Sequence, residues 1–389
     1  MFKRWGAVSA ISLLLVMSAG PFAYASSVAG LVNRQLQSLN TATLENEMTR
    51  MMQPTGTASL PTIREIVSRI MNHQLPFNPA VLFGQIERTI VGDLLVEARV
   101  LGIIFLLTVL AALLSRLADA FDGQDRSLAG IAEIVVVSAL ILVALHSFQL
   151  AVSLVETIVG NLVHFMESLI PLLMVLVAGS GAVASAGIFH PLMILVTNLV
   201  AVLTKRWVLP LVLMATLVEL VGVWLPKFSL KTLAGLFRQV GLTLLGGLMT
   251  LFLGVMAVEG AAGSVADGVA LRTGKFLANT FVPVIGKMFS DAMEAVLGSS
   301  LLLKNAVSVY GALGIALLVT FPLIKLFAMM LLYRIGAAAS EPLGVPSVGD
   351  ALNLMASALG WLIAVAGAVA LMFFLVVTVM VGTTNGVQL

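Results

Sequence analysis

From Val100 to Val381 the chain is a succession of apolar blocks, most of them roughly 15 to 25 residues long, separated by short stretches that carry nearly all the charge. The hydrocarbon core of a bilayer needs about 20 predominantly apolar residues per spanning helix, and Ile131 to Val155 and Leu352 to Val381 meet that length alone. Backbone polar groups find no water in lipid, so repeated blocks of this length must be helices. Barrel strands would instead show about ten residues of alternating polarity. The pattern predicts an all-α, polytopic helical membrane protein. Helices are expected near 98–115, 130–150, 157–178, 187–204, 207–224, 241–258, 306–333 and 352–382. Two of these are open to a re-entrant or interfacial reading.

The start of the chain reads as a targeting signal. Lys3 and Arg4 precede an apolar stretch from Ala7 to Ala19, followed by Pro21 and the small-x-small sequence Ala23-Tyr24-Ala25. Cleavage after Ala25 is expected, giving a signal peptide over 1–25; an uncleaved first transmembrane helix is the alternative. Either way, residues 26–96 should face the outside of the cytoplasmic membrane. Val28, Leu31, Val32, Leu36 and Leu39 recur at helical spacing, as do Ile63, Ile66, Val67, Ile70 and Met71. Thr62 and Glu65 fit a capping box, and Asn78-Pro79 is a second start signal. Gln53 to Thr57 reads as a turn or linker. So short a segment has little core of its own, and its apolar faces should rest on the membrane surface or on another chain.

Composition narrows the classes. The 389 residues are 60% hydrophobic and 10% charged, where a soluble domain has about 25% charged. No cysteine is present, which excludes disulfides, thiolate catalysis and cysteine metal sites. Without Lys3 and Arg4 the 21 basic residues become 19, equal to the 19 acidic ones, and no basic patch argues for nucleic acid. Lys227, Lys231 and Arg238 form the clearest positive-inside signal; Lys205-Arg206 then falls on the outer side, against the rule.

Candidate chemistry is sparse. There is no His-Glu-x-x-His, and the four histidines, His73, His146, His164 and His190, lack ligand spacing. Gly179-Ser180-Gly181 is not a Gly-x-Ser-x-Gly elbow and reads as a loop between helices. Val348-Gly349-Asp350 resembles the Gly-Asp pair of intramembrane aspartyl proteases, but no second aspartate lies within an apolar block. Asp350 reads instead as a helix N-cap, with Ser347 as the alternative. A P-loop is absent, so nucleotide energy would come from another protein. No enzymatic activity, cofactor or metal is expected.

What remain are ionisable residues at membrane depth. Glu133, Glu219 and Lys325 lie inside or near the end of apolar blocks, where an unpaired charge costs about 2.5 to 3.5 kcal/mol on insertion scales. They are candidates for a polar path, or else charges close enough to the interface to snorkel. Glu156 and Glu167 are expected at helix ends. The stretch 259–305 is expected to be a glycine-rich re-entrant or interfacial helical segment, between about six spans over 97–258 and about two over 306–389. Gly260, Gly263 and Gly268 allow close backbone approach, Pro283 interrupts a run too short to span, and Lys287 and Asp291 are placed for an i, i+4 pair. These six are candidates for assembly or gating.

The same stretch carries a specific likeness. Gly263-Ser264-Val265-Ala266-Asp267-Gly268-Val269, then Leu271-Arg272-Thr273-Gly274-Lys275-Phe276, then Phe281-Val282-Pro283-Val284-Ile285-Gly286-Lys287-Met288-Phe289-Ser290-Asp291, resembles the signature region of the stage III sporulation protein AE family. So does Ser300-Leu301-Leu302-Leu303-Lys304-Asn305-Ala306, and the likeness runs over nearly the whole chain. It implies a polytopic subunit of the complex joining mother cell and forespore after engulfment, placed in the outer forespore membrane. The implied partners are a secretion-type ATPase and ring-forming membrane proteins, with a homo-oligomer expected within the bilayer. The family brings no catalytic residues. A stand-alone secondary transporter, which inverted repeats would reveal, and a purely structural scaffold are the competing readings.

Overall fold

The computed structural model describes residues 30–39, 41–52, 60–72, 74, 126–224, 230–281 and 283–382, with single positions between 84 and 116. The leader segment, Gln53 to Thr57, Asn78-Pro79, much of the block 98–115 and Lys227 lie outside the described residues. No strand occurs among the described residues. Three short helices, α1 (30–38), α2 (Thr41–Met52) and α3 (Ile63–Met71), are followed by long ones: α4 (Arg126–Gly179), α5 (Val183–Leu203), α6 (Leu209–Trp224), α7 (Lys231–Phe281), α8 (Pro283–Ser340) and α9 (Pro346–Gly382). Five apolar stretches within these are long enough to cross a membrane: Ile141–Gly179, Val183–Val223, Lys231–Ala257, Ala295–Ser340 and Pro346–Met380.

The connections show why the chain turns where it does. At the end of α4, Ala182 N–H donates to Val177 C=O at 3.2 Å and Gly181 N–H to Ala178 C=O at 3.0 Å. Gly181 has φ of 94°, the left-handed conformation that closes a Schellman motif without a Cβ penalty. After α8 the motif recurs, with Gly344 at φ 79° and Val345 N–H on Ser340 C=O at 3.3 Å; Pro346 then opens α9 at the first helical position, where no N–H is needed. Pro283 likewise opens α8. The Thr62 cap is present, its hydroxyl accepting from Glu65 N–H at 3.2 Å. Glu45 of α2 adds a second cap, accepting from Ile63 N–H at 2.8 Å, so α2 caps the start of α3 and ties the two helices into one unit.

Helix α4 is the centre of the bundle. Phe148, Val155, Leu162, Phe165, Met166, Leu169 and Leu173 are buried along it, and α5, α8 and α9 surround it. The closest pairing is between α8 and α9, where buried Ala351, Ala356, Ala358 and Ala366 keep the α9 surface low. The amphipathic faces of α1, α2 and α3 pack on this bundle: Ile63, Ile66, Val67, Leu44 and Met48 are buried, and Gln35 Nε2 donates to Ser300 Oγ at 3.1 Å. That contact puts α1, the turn after α4 and the α7–α8 junction side at one end. Arg116, 3.5 Å from where a Cβ on Gly344 would lie, marks the other end together with the α8–α9 turn.

Several expectations are corrected by helix continuity. The predicted spans 130–150 and 157–178 are a single helix of 54 residues, with Glu156 and Glu167 in its interior rather than at ends. The spans 187–204 and 207–224 are likewise one helical course, joined by the π-turn Thr204–Val208 that carries Lys205 and Arg206. A charged side chain does not break main-chain hydrogen bonds; it needs only an outward-facing position. Lys205-Arg206 is therefore no loop between two spans but part of one helical course. Asp350 is not an N-cap, nor is Ser347, because α9 already begins at Pro346. Gly260, Gly263 and Gly268 lie within α7, and Lys287 and Asp291 within α8, so the backbone through 259–281 and 283–305 is a continuation of long helices.

Candidate functional site

Helices α6, α7 and α9 bring one pair of ionisable groups together. Glu219 sits five residues before the end of α6 and Arg238 seven after the start of α7, so the antiparallel hairpin brings them to one height. Arg238 Nη2 donates to Glu219 Oε2 at 2.6 Å, with the side chains 29% and 25% exposed. The guanidinium also lies 5.7 Å over the Trp361 ring of α9. A charge-assisted pair with an aromatic lid ties three helices together at a point where either charge alone would be expensive. Arg238, read from sequence as a positive-inside marker, is thus the partner of Glu219. The similar offsets of the two residues from the hairpin, five and seven, were the available signal for it.

The other polar-path candidates do not join this group. Glu133 lies in the first turns of α4, its side chain outside the described residues, and Lys325 is half-buried in α8 three residues after Pro322. No ion pair joins Lys325 to Glu219 among the described residues. Of the assembly candidates, the side chains of Pro283, Lys287 and Asp291 and the surroundings of Gly260, Gly263 and Gly268 lie outside the described residues.

Two polar features were not anticipated. His190, Thr197 and Thr204 follow at intervals of seven, hence on one side of the α5 course, and His190 Nδ1, Thr197 Oγ1 and Thr204 Oγ1 are buried with no hydrogen-bond partner among the described residues. On α8, Lys304 is fully buried, with Ser299, Ser300 and Ser308 buried around it. A seven-residue polar repeat inside an apolar block was the available signal for the first. Among the described residues no group of three His, Asp or Glu could hold a metal ion.

Among the described residues, close backbone approach is made at Gly160, Gly311 and Gly314. A Cβ on Gly314 would stand 2.6 Å from Phe165 Cζ, and one on Gly311 2.6 Å from Leu169 Cδ2. On Gly160 it would stand 2.9 Å from Lys205 Nζ, so this glycine is the notch through which the lysine of the π-turn lies against α4.

The sequence model of the family described as Stage III sporulation protein AE matches residues 62–384. Stage III sporulation protein AE of Bacillus subtilis (strain 168) is 33% identical over 315 residues, covering 81% of this chain and 78% of that protein. No solved structure matches. A match that starts at the capped α3 and runs to the end of α9 takes in every long helix of the bundle, and the chain belongs to the stage III sporulation protein AE family.

Proposed function

We propose that the chain is a membrane subunit of a channel or secretion-like complex connecting mother cell and forespore, needed for forespore development after engulfment. The observation that carries this reading is family membership over nearly the full bundle, coupled to an architecture of five apolar helices with a polar cap at one end. The resident membrane is the mother-cell membrane around the forespore, with α1 to α3 on its outer side. Partners are a secretion-type ATPase at the cytoplasmic end and ring-forming membrane proteins at the other, and the chain works as a homo-oligomer without enzymatic activity of its own.

The geometry supports such a division of ends. Helix α8 begins 17 residues before Ser300, which sits beside the last residue of α4, so by 1.5 Å per residue the α7–α8 hairpin extends about 26 Å past that point. It carries Asp267, Arg272, Lys275, Lys287, Asp291 and Glu294, a composition suited to water and to protein partners. The buried polar stripe of His190, Thr197 and Thr204 favours a conduit over a purely structural scaffold, because such atoms are normally satisfied by water or protein. The test is purification of the tagged full chain from sporulating cells in mild detergent. The ATPase and ring proteins should co-purify; recovery of the chain as a lone monomer would overturn the assignment.

A further inference from the structure

Resting on the reading that this chain sits in a membrane, we propose that the bilayer encloses only the lower part of the bundle. Its boundaries are the level of Arg334 and the Lys205–Trp207 turn, and the apolar helices beyond that turn stand clear of lipid on the side of α2 and α3.

Length demands that something leave the bilayer. At 1.5 Å per residue the 54 residues of α4 measure about 81 Å and the 58 of α8 about 87 Å, against a hydrocarbon core of about 30 Å. Even a tilt of about 40°, the upper end for membrane helices, leaves about 60 Å. The question is which section is wet.

Heights can be read along α4. Tyr333 Oη donates to Ala144 C=O at 3.5 Å, which fixes the level of the neighbouring, exposed Arg334. Lys205 Nζ beside Gly160 fixes the level of the π-turn. The 16 residues between Ala144 and Gly160 rise about 24 Å, and cations reaching outward at both limits extend this to about 30 Å. At the upper limit Arg206 and Trp207 are exposed, and cation with indole is the side-chain chemistry of a headgroup layer. Leu150 and Phe327, both more than half exposed, lie between the limits and face the lipid.

Beyond the turn the surroundings are incompatible with lipid. His164 and Glu167, exposed on α4, approach to 3.3 Å. Leu44 and Thr43 of α2 line a groove with Glu167, Ser168, Pro171 and Val175, so a helix that exposes Arg50 covers this section. Helix α3, with Arg64 and Glu65 exposed, packs on the matching part of α8. A bilayer at this height would have to swallow those charges together with the α2 and α3 surfaces, whereas below the turn the exposed His146 and Glu156 of α4 lie within about one helical turn of the two limits and reach the headgroup layers. Yet Val175, Val183 and Ile188 are exposed here too, which is why hydropathy alone counts the whole length as spanning.

The chain has no cysteine, so single cysteines can be introduced without background. Leu150→Cys and Phe327→Cys report the lower band, Val183→Cys and Ile188→Cys the upper. The full chain, labelled with bimane and placed in nanodiscs of phosphatidylcholine and phosphatidylglycerol, is read with and without acyl-chain nitroxide lipid. Quenching should be several-fold stronger at the lower pair than at the upper pair, whatever else covers the upper sites. Equal quenching at all four, or stronger quenching above, would overturn the proposal while leaving a membrane protein. Absence of quenching at every site would instead overturn the membrane reading. All four residues are exposed, so the fold is untouched by the substitutions.

Discussion

At the residue scale, the Glu219–Arg238 pair and the packed glycines give the sharpest expectations. Removing one member of the pair leaves a charge in an apolar block, so Arg238→Gln and Glu219→Gln should each lower stability by about 1–3 kcal/mol. The double variant should recover most of that, because neither charge is then orphaned. Thermal unfolding in detergent measures both, and a double variant as unstable as the sum of the singles would mean the two residues are not coupled. Gly314→Ala must displace the Phe165 ring, which is fully buried and lies 6.5 Å from the Tyr310 ring, at a cost of about 1–3 kcal/mol. Gly311→Ala meets only the end of Leu169 and should cost less. Gly247, with nothing within 4 Å of an added Cβ, should accept alanine with no loss, or gain up to about 1 kcal/mol from helix propensity. Sequence reading located the costly carboxylate Glu219 but not its partner, since pairing depends on where the hairpin turns. Gly311 and Gly314 were not legible as contact points, since contact depends on which face of α8 meets α4.

At the element scale, the apolar pattern was sufficient for the helices and misleading for their ends. Charges at Glu156 and at Lys205-Arg206 looked like boundaries, yet both lie inside continuous helices. Real ends coincide with backbone devices that were legible as Gly181, Gly344, Pro283 and Pro346, where a left-handed residue or a missing N–H decides the matter. The helix through Gly263 and Gly268 allows a clean experiment. Leucine ranks just below alanine, and glycine lies about 0.8–1.0 kcal/mol below alanine as a helix former, so Gly263→Leu and Gly268→Leu should not harm α7 as a helix. If these glycines serve assembly, both variants should reach the membrane at normal levels but fail to co-purify as an oligomer or with partners. Lys287→Glu, which sets like charges four apart with Asp291, should do less, by a few tenths of a kcal/mol. Normal assembly and normal spore yield in both leucine variants would remove this stretch from consideration.

At the scale of the whole molecule, the proposed topology rests on the difference between the two ends. The α1–α3 cap and the α7–α8 hairpin share one end, whereas Lys231 and the α8–α9 turn share the other. Reporter fusions after Gln53 should be active outside the cytoplasm and those near Lys231 inside, and amino-terminal sequencing should begin at Ser26. A cytoplasmic result at Gln53 would invert the assignment of partners to ends. Fold class was legible from block length alone. The number of crossings was not, because hydropathy does not distinguish an apolar helix in lipid from one covered by its own protein. The central claim, that this subunit maintains the forespore through a membrane complex, is tested most directly by deleting the gene and following a late forespore transcriptional reporter through sporulation. The account predicts that engulfment completes and reporter activity then fails, with spore yield falling by orders of magnitude. Undiminished late forespore activity and normal spore yield in the deletion strain would contradict it.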